Sequence, residues 1–107
     1  MFGRRKAAVD VQTAYRMAAD DGYVILDVRT AAERLEAHPP GSIHLELETI
    51  PQRLDELGDK KILAFCRTGN RSSAATRFLK QHNIEALNVR GGVVAWSRAG
   101  LPLTKGP

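Results

Sequence analysis

The segment from Lys61 to Phe78 narrows most sharply what this chain can fold into. It runs through Ile62-Leu63-Ala64-Phe65 to the only cysteine, Cys66. The turn Arg67-Thr68-Gly69-Asn70-Arg71 follows, and then a pattern that sets Ala74, Ala75, Phe78 and Leu79 on one helical face. A short apolar run before a turn suits a strand buried on both faces, and the later spacing suits an amphipathic helix. The segment therefore predicts strand, loop and helix with a thiol at the bend.

The flanking sequence repeats this alternation. Val9 reads as a very short strand, and Asp10 as the N-cap of a helix carrying Val11, Ala14, Tyr15 and Ala18, stopped by Asp20-Asp21-Gly22. Tyr23 to Arg29 is too short for a helix and rich in β-branched residues, so it predicts a buried parallel strand, with Asp27 and Arg29 where the chain leaves the sheet. Ligand sites of open parallel sheets lie outside these carboxyl ends. Thr30 to Glu36 predicts a short helix broken by His38-Pro39-Pro40-Gly41, and Ser42 to Leu47 begins as a short strand. Thr49 is expected to cap a helix over 50–57 with Pro51 in its first turn, Ile50, Leu54 and Leu57 buried, and Gly58 at its end. After the helix that ends near Asn83 come a strand over Ala86-Leu87-Asn88-Val89, a turn at Gly91-Gly92 and a helix over 93–99, with Trp96 on the core. Strands alternating with helices and joined by right-handed crossovers predict a three-layer α/β/α sandwich around a mostly parallel sheet of about five strands.

With 107 residues the chain has room for a single core, expected over 9–103 between a basic N-terminal tail, 1–8, and a C-terminal tail, 104–107. Arg4, Arg5 and Lys6 supply much of the net charge of +4, and with 6% aromatic residues there is no basic, aromatic-interleaved stripe for a nucleic acid. A lone cysteine excludes an internal disulfide and a cysteine-rich zinc cluster, so no metal is expected. No apolar run reaches the ~20 residues of a membrane span or forms a secretory leader, which makes the cytoplasm the default location and suits a free thiol.

The bend itself favours a reactive sulfur. A strand end wrapped onto a helix start turns several backbone N–H groups toward one point, where the helix dipole adds positive charge. A free thiol with a pKa of ~8.5 is only about 3% ionised at pH 7. Those amides, together with Arg67 and Arg71, are expected to make the thiolate the major form.

The loop Cys66-Arg67-Thr68-Gly69-Asn70-Arg71-Ser72, preceded by Asp27-Val28-Arg29 and Gly41-Ser42-Ile43 and followed by Gly91-Gly92 and Trp96, resembles the rhodanese-like domains over nearly the whole chain. Where that family usually carries a Gly-His-Ile-Pro-Gly-Ala-like stretch, this chain has Ala37-His38-Pro39-Pro40-Gly41-Ser42. The turn glycine is kept, and a second proline stiffens the loop. His38 is read as structural or exposed rather than as an acid or base.

The resemblance implies a thiosulfate sulfurtransferase of rhodanese type, a monomer needing no cofactor. Cys66 is the expected catalytic residue. It would take a sulfane sulfur from a small anionic donor such as thiosulfate, become a persulfide, and yield that sulfur to cyanide, a thiol or a protein. Arg67, Thr68, Gly69, Asn70, Arg71 and Ser72 are the expected substrate-binding residues, with Asp27 and Arg29 in support. The amides of 67–72 would cradle the terminal sulfur while Arg67 attracts the donor's anionic group. Two roles stay open for Arg71: touching the donor, or turning inward to pair with Asp27 or Glu33. Thr68 and Ser72 have hydroxyls that could bond the sulfur, with Ser72 favoured as a helix cap, and Asn70 is expected to take a left-handed or strained backbone. One rival is a cysteine phosphatase or arsenate reductase. That chemistry places five residues between cysteine and arginine, whereas Arg71 follows Cys66 after four and position 72 is serine. The other rival is a rhodanese-like docking or regulatory module whose cysteine is idle.

Overall fold

The computed structural model describes residues 7–107. The basic cluster Arg4-Arg5-Lys6 lies outside the described residues. Five parallel strands form one sheet in the order β1-β5-β4-β2-β3, where β1 is Ala8–Val9, β2 Tyr23–Asp27, β3 Ile43–His44, β4 Lys61–Phe65 and β5 Ala86–Val89. Among the described residues the four α-helices are α1 (Val11–Asp20), α2 (Ala31–Glu36), α3 (Asn70–Gln81) and α4 (Gly92–Arg98). This is the expected sandwich.

Period-two alternation along β4 divides the core. Ile62, Ala64 and Cys66 point to one face of the sheet, where they meet Ile50, Leu57, Ala75 and Leu79. Leu63 and Phe65 point to the other and meet Val11, Ala14 and Trp96. Cys66 therefore continues the strand's alternation toward α3, one residue past the last ladder position.

Local chemistry sets the helix starts. The Asp10 carboxylate accepts from the Thr13 amide at 2.8 Å, and Thr30 and Glu33 form a reciprocal capping box at the head of α2. Tyr15 falls at the margin of the buried stripe of α1, 43% exposed, with its ring edge-on to Trp96.

The predicted helix over 50–57 is absent. Two 3-10 turns, Leu47–Gln52 and Leu54–Glu56, occupy the stretch, and Thr49 lies within the first rather than capping it, its hydroxyl donating to Glu46 O at 2.7 Å. Pro51 has no N–H for an i−4 bond, and a segment this short does not recover the cost of α-helical nucleation. Ile50 and Leu57 are buried as expected, whereas Leu54, expected with them, is only half-buried at the edge of the same cluster because the 3-10 turns do not keep the helical period. The end of the chain is held in place: His38 and Thr104 exchange backbone bonds of 2.9 and 2.8 Å, and the Gly106 amide donates to Leu35 O at 3.0 Å.

Candidate active site

Three chain segments meet at the carboxyl ends of β2, β4 and β5. From β4 the chain enters Cys66 and the three-residue turn Arg67-Thr68-Gly69, and α3 begins at Asn70. The left-handed residue is Gly69 (φ 112°), while Asn70 is already helical, because the reversal needed before the first helical turn falls one residue earlier than expected. Ser72 is likewise not the cap. It sits inside the first turn of α3, fully buried, and its hydroxyl faces the sulfur.

The sulfur lies between two environments. One side of Cys66 belongs to the apolar cluster beneath α3, and the residue is only 1% exposed. On the other side the amides of Gly69 and Ser72 donate to Sγ at 3.1 and 3.3 Å, and Ser72 Oγ lies 3.2 Å from it. Burial pushes the thiol up. The hydroxyl of Ser72 and the amides of Ser72, Gly69 and Thr68 outweigh it and bring the thiol below its ordinary range. The lowering thus comes chiefly from neutral donors aimed at the sulfur; of the amides and arginines expected to act together, it is the amides that lead.

The arginines have other partners. Both terminal nitrogens of Arg71 donate to Glu33, at 2.8 Å each, which ties α3 to α2. That bidentate pair, opposed by burial and aided by the Thr30 amide and hydroxyl, holds the Glu33 carboxyl down at about 2. Of the two open roles for Arg71, the structure has the inward one, with Glu33 rather than Asp27 as partner. Arg67 and Thr68 are exposed at the mouth of the loop.

Asp27 and Arg29 sit beneath the site. Asp27 is wholly buried; Arg29 donates to it at 2.8 and 2.9 Å, and Arg34 approaches at 3.4 Å. Arg29 also bonds Ala37 O at 2.6 Å, and Arg34 bonds Ser42 O at 2.8 Å and Oγ at 3.1 Å. These links hold the stretch 37–42 against the sheet end. His38 is part of the same support: it is buried, and Nδ1 donates to Arg34 O at 3.0 Å.

Sequence reasoning missed three contributors. Arg34 looks like an ordinary polar helix position, and its pairing with Asp27 exists only in three dimensions. Asn88 did leave a signal, since it interrupts an otherwise apolar strand. Its side chain accepts from Ser72 Oγ at 2.5 Å and donates to Gly69 O at 3.1 Å. Gly92, read only as a turn, is the seat of the loop. The Val93 and Val94 amides donate to the carbonyls of Cys66 and Arg67 at 2.9 and 3.2 Å, and a Cβ on Gly92 would stand 2.3 Å from Cys66 O.

No three His, Cys, Asp or Glu side chains group as metal ligands would among the described residues, and no helix there is long and apolar enough to cross a membrane.

A family model described as a rhodanese-like domain matches residues 10–99. The chain is 37% identical over 90 residues to a sulfurtransferase of Allochromatium vinosum, a match covering 82% of this chain and 84% of that protein. It is 32% identical over 82 residues to the putative sulfurtransferase YtwF of Bacillus subtilis, covering 76% and 80%. The crystal structure of a rhodanese-related protein from Thermoplasma volcanium aligns with a TM-score of 0.84 at 30% identity, over 91% of this chain and 96% of that one.

Proposed function

The chain belongs to the rhodanese-like domain family, and from that premise we propose that it is a sulfurtransferase working through a persulfide on Cys66. The observation that carries this reading is the convergence of the Gly69 and Ser72 amides and the Ser72 hydroxyl on one sulfur, within 3.1 to 3.3 Å. The two amides are fixed donors and the hydroxyl is within donating distance, an arrangement that favours a charged sulfur over a neutral one.

The reaction runs in two displacements. The Cys66 thiolate attacks the outer sulfur of thiosulfate: an Sγ–S bond forms, the donor's S–S bond breaks, and sulfite leaves with the electron pair. Cyanide or a thiolate then attacks the outer sulfur, the Sγ–S bond breaks, and the thiolate of Cys66 returns. Arg67, exposed at the mouth, steers the anionic donor, while Thr68 and Asn70 border its path. With Cys66 almost covered, only a slim group such as a sulfane sulfur reaches Sγ. Arg71 acts by pinning α3 to α2, and Asp27 and Arg29 by holding the sheet end beneath the loop. We place the acceptor among small thiophiles or exposed protein thiols, and the protein in the cytoplasm as a monomer.

Intact-protein mass spectrometry after incubation with thiosulfate tests the proposal. The expected result is a gain of one sulfur, lost on adding cyanide with release of thiocyanate and absent in Cys66→Ser. A wild-type protein that takes no sulfur from several sulfane donors, or a serine variant that loads equally well, overturns it.

A further inference from the structure

The Ser72 hydroxyl has one proton and two neighbours able to accept it. Oγ lies 3.2 Å from Cys66 Sγ and 2.5 Å from Asn88 Oδ1. The Asn88 amide cannot be reversed, because Nδ2 donates to Gly69 O at 3.1 Å and exchanging the two ends would face one carbonyl oxygen with another. Oδ1 is therefore the end presented to Ser72, and it brings no proton of its own. While the hydroxyl donates to Asn88, it offers Sγ only a lone pair, the complement of an S–H; an uncharged inner sulfur, which has no hydrogen to give and accepts only weakly, leaves the hydroxyl proton with Asn88. When Sγ carries charge, rotation about Cβ–Oγ turns the proton to the sulfur and leaves Oδ1 without it.

We propose that Asn88 is a positioning residue that competes with Cys66 Sγ for the Ser72 proton, holding it while the sulfur is uncharged and releasing it when the thiolate forms. The inference rests on reading Cys66 as the sulfur carrier, since that cycle alternates the charge on Sγ. In the thiolate the charge is on Sγ, and Ser72 donates to it. Once the Sγ–S bond forms, the electron pair lies in that bond, the charge moves to the outer sulfur, and the hydroxyl returns to Asn88. No atom is transferred in the exchange; one hydrogen bond replaces another. Asn88 thereby lets one buried hydroxyl stay satisfied in both states, which a serine with sulfur as its only acceptor does not. The other charges around the sulfur have their own partners: Arg71 of α3 is held by Glu33 of α2, Asp27 of β2 is held by Arg29 and Arg34, and Arg67 of the loop is exposed.

A double-mutant cycle on the thiol tests this, read from thiolate absorbance against pH in wild type, Asn88→Ala, Ser72→Ala and the double variant. Ser72→Ala removes a donor and raises the midpoint. Asn88→Ala frees the hydroxyl proton for the sulfur and lowers the midpoint, with about a three- to tenfold gain in the thiolate-to-thiol ratio. In the Ser72→Ala background the same asparagine substitution leaves the midpoint unmoved. If Asn88 only braces the loop through Gly69, its removal shifts the midpoint equally in both backgrounds, which overturns the proposal, as does an upward shift or none in the single variant. Asn88→Leu, of similar shape and with no acceptor, carries the same expectations should the alanine variant not fold. Failure to load sulfur in the mass assay counts against the transferase reading alone, whereas an additive cycle counts against Asn88 alone.

Discussion

Arg71 enters α3 five positions after Cys66, and Glu33 takes both of its terminal nitrogens. That pair ties α3 to α2 where the helix leaves the loop, and under the proposed function its work is to hold the aim of the Ser72 amide. With the two side chains 35% and 28% exposed, solvent screening limits the pair to about 1 kcal/mol or less. Its pH dependence is nevertheless distinct. The folded-state pKa of Glu33, about 2, lies below that of an unfolded glutamate, so the contribution is present above the unfolded range near ~4.3 and is lost as pH falls from there toward 2. We expect Glu33→Gln to lower the urea midpoint at neutral pH. On acidification below about pH 5 the difference from wild type should then shrink, because the wild type loses what the variant never had. A gap that stays constant down to pH 3 would show that the bond is not titrating in this window. The arginine was legible in sequence as a member of the loop, and Glu33 as one of its two candidate partners. The choice between Glu33 and Asp27 was not, because Arg29 and Arg34 had already claimed the aspartate.

At the scale of elements, α4 is the one whose sequence reading changed most in meaning. Its boundaries were expected within a residue, and its role on the core through Trp96 was as well. What a one-dimensional pattern does not carry is that its first turn is the floor of the thiol loop. Gly92 has a left-handed φ of 52°, and a side chain there would meet the carbonyls of Cys66 and Arg67 at 2.3 and 2.5 Å. These are backbone atoms on a buried loop and do not yield as the end of a flexible side chain would. Gly92→Ala is expected to cost about 3 kcal/mol or more and to abolish sulfur loading, measured by chemical denaturation and by the mass assay on whatever folds. A variant that keeps wild-type stability and loads sulfur would mean that the loop rests elsewhere. The segment 47–56 gives the converse lesson. Ile50 and Leu57 were correctly read as buried from spacing, but Leu54 is only half-buried and the helix type was not as expected, because a proline and short length override a marginal helical period.

Taken whole, the molecule places every part of the candidate site at one end of a parallel sheet and stabilises that end with a buried charge cluster. Asp27 is the hub, joining β2 through Arg29 and Arg34 to α2 and to the carbonyls of Ala37 and Ser42. Asp27→Ala would leave two buried guanidinium groups without a carboxylate, at an expected cost of about 3–5 kcal/mol. Thermal unfolding checks this, and a loss below about 1 kcal/mol would mean the arginines find compensation in carbonyls alone. Sequence by itself determined the order of strands and helices except for the 3-10 turns over 47–56, the parallel sandwich, the thiol at a strand-to-helix bend and the family it resembles, because alternation of period and the residues of a single turn are local properties of a chain. Tertiary structure decided which donors face the sulfur, which acid holds Arg71, and that Asn88 and Gly92 belong to the loop's surroundings. Those choices depend on which distant segments compete for the same few ångströms, and that competition begins only once the sheet has brought them together.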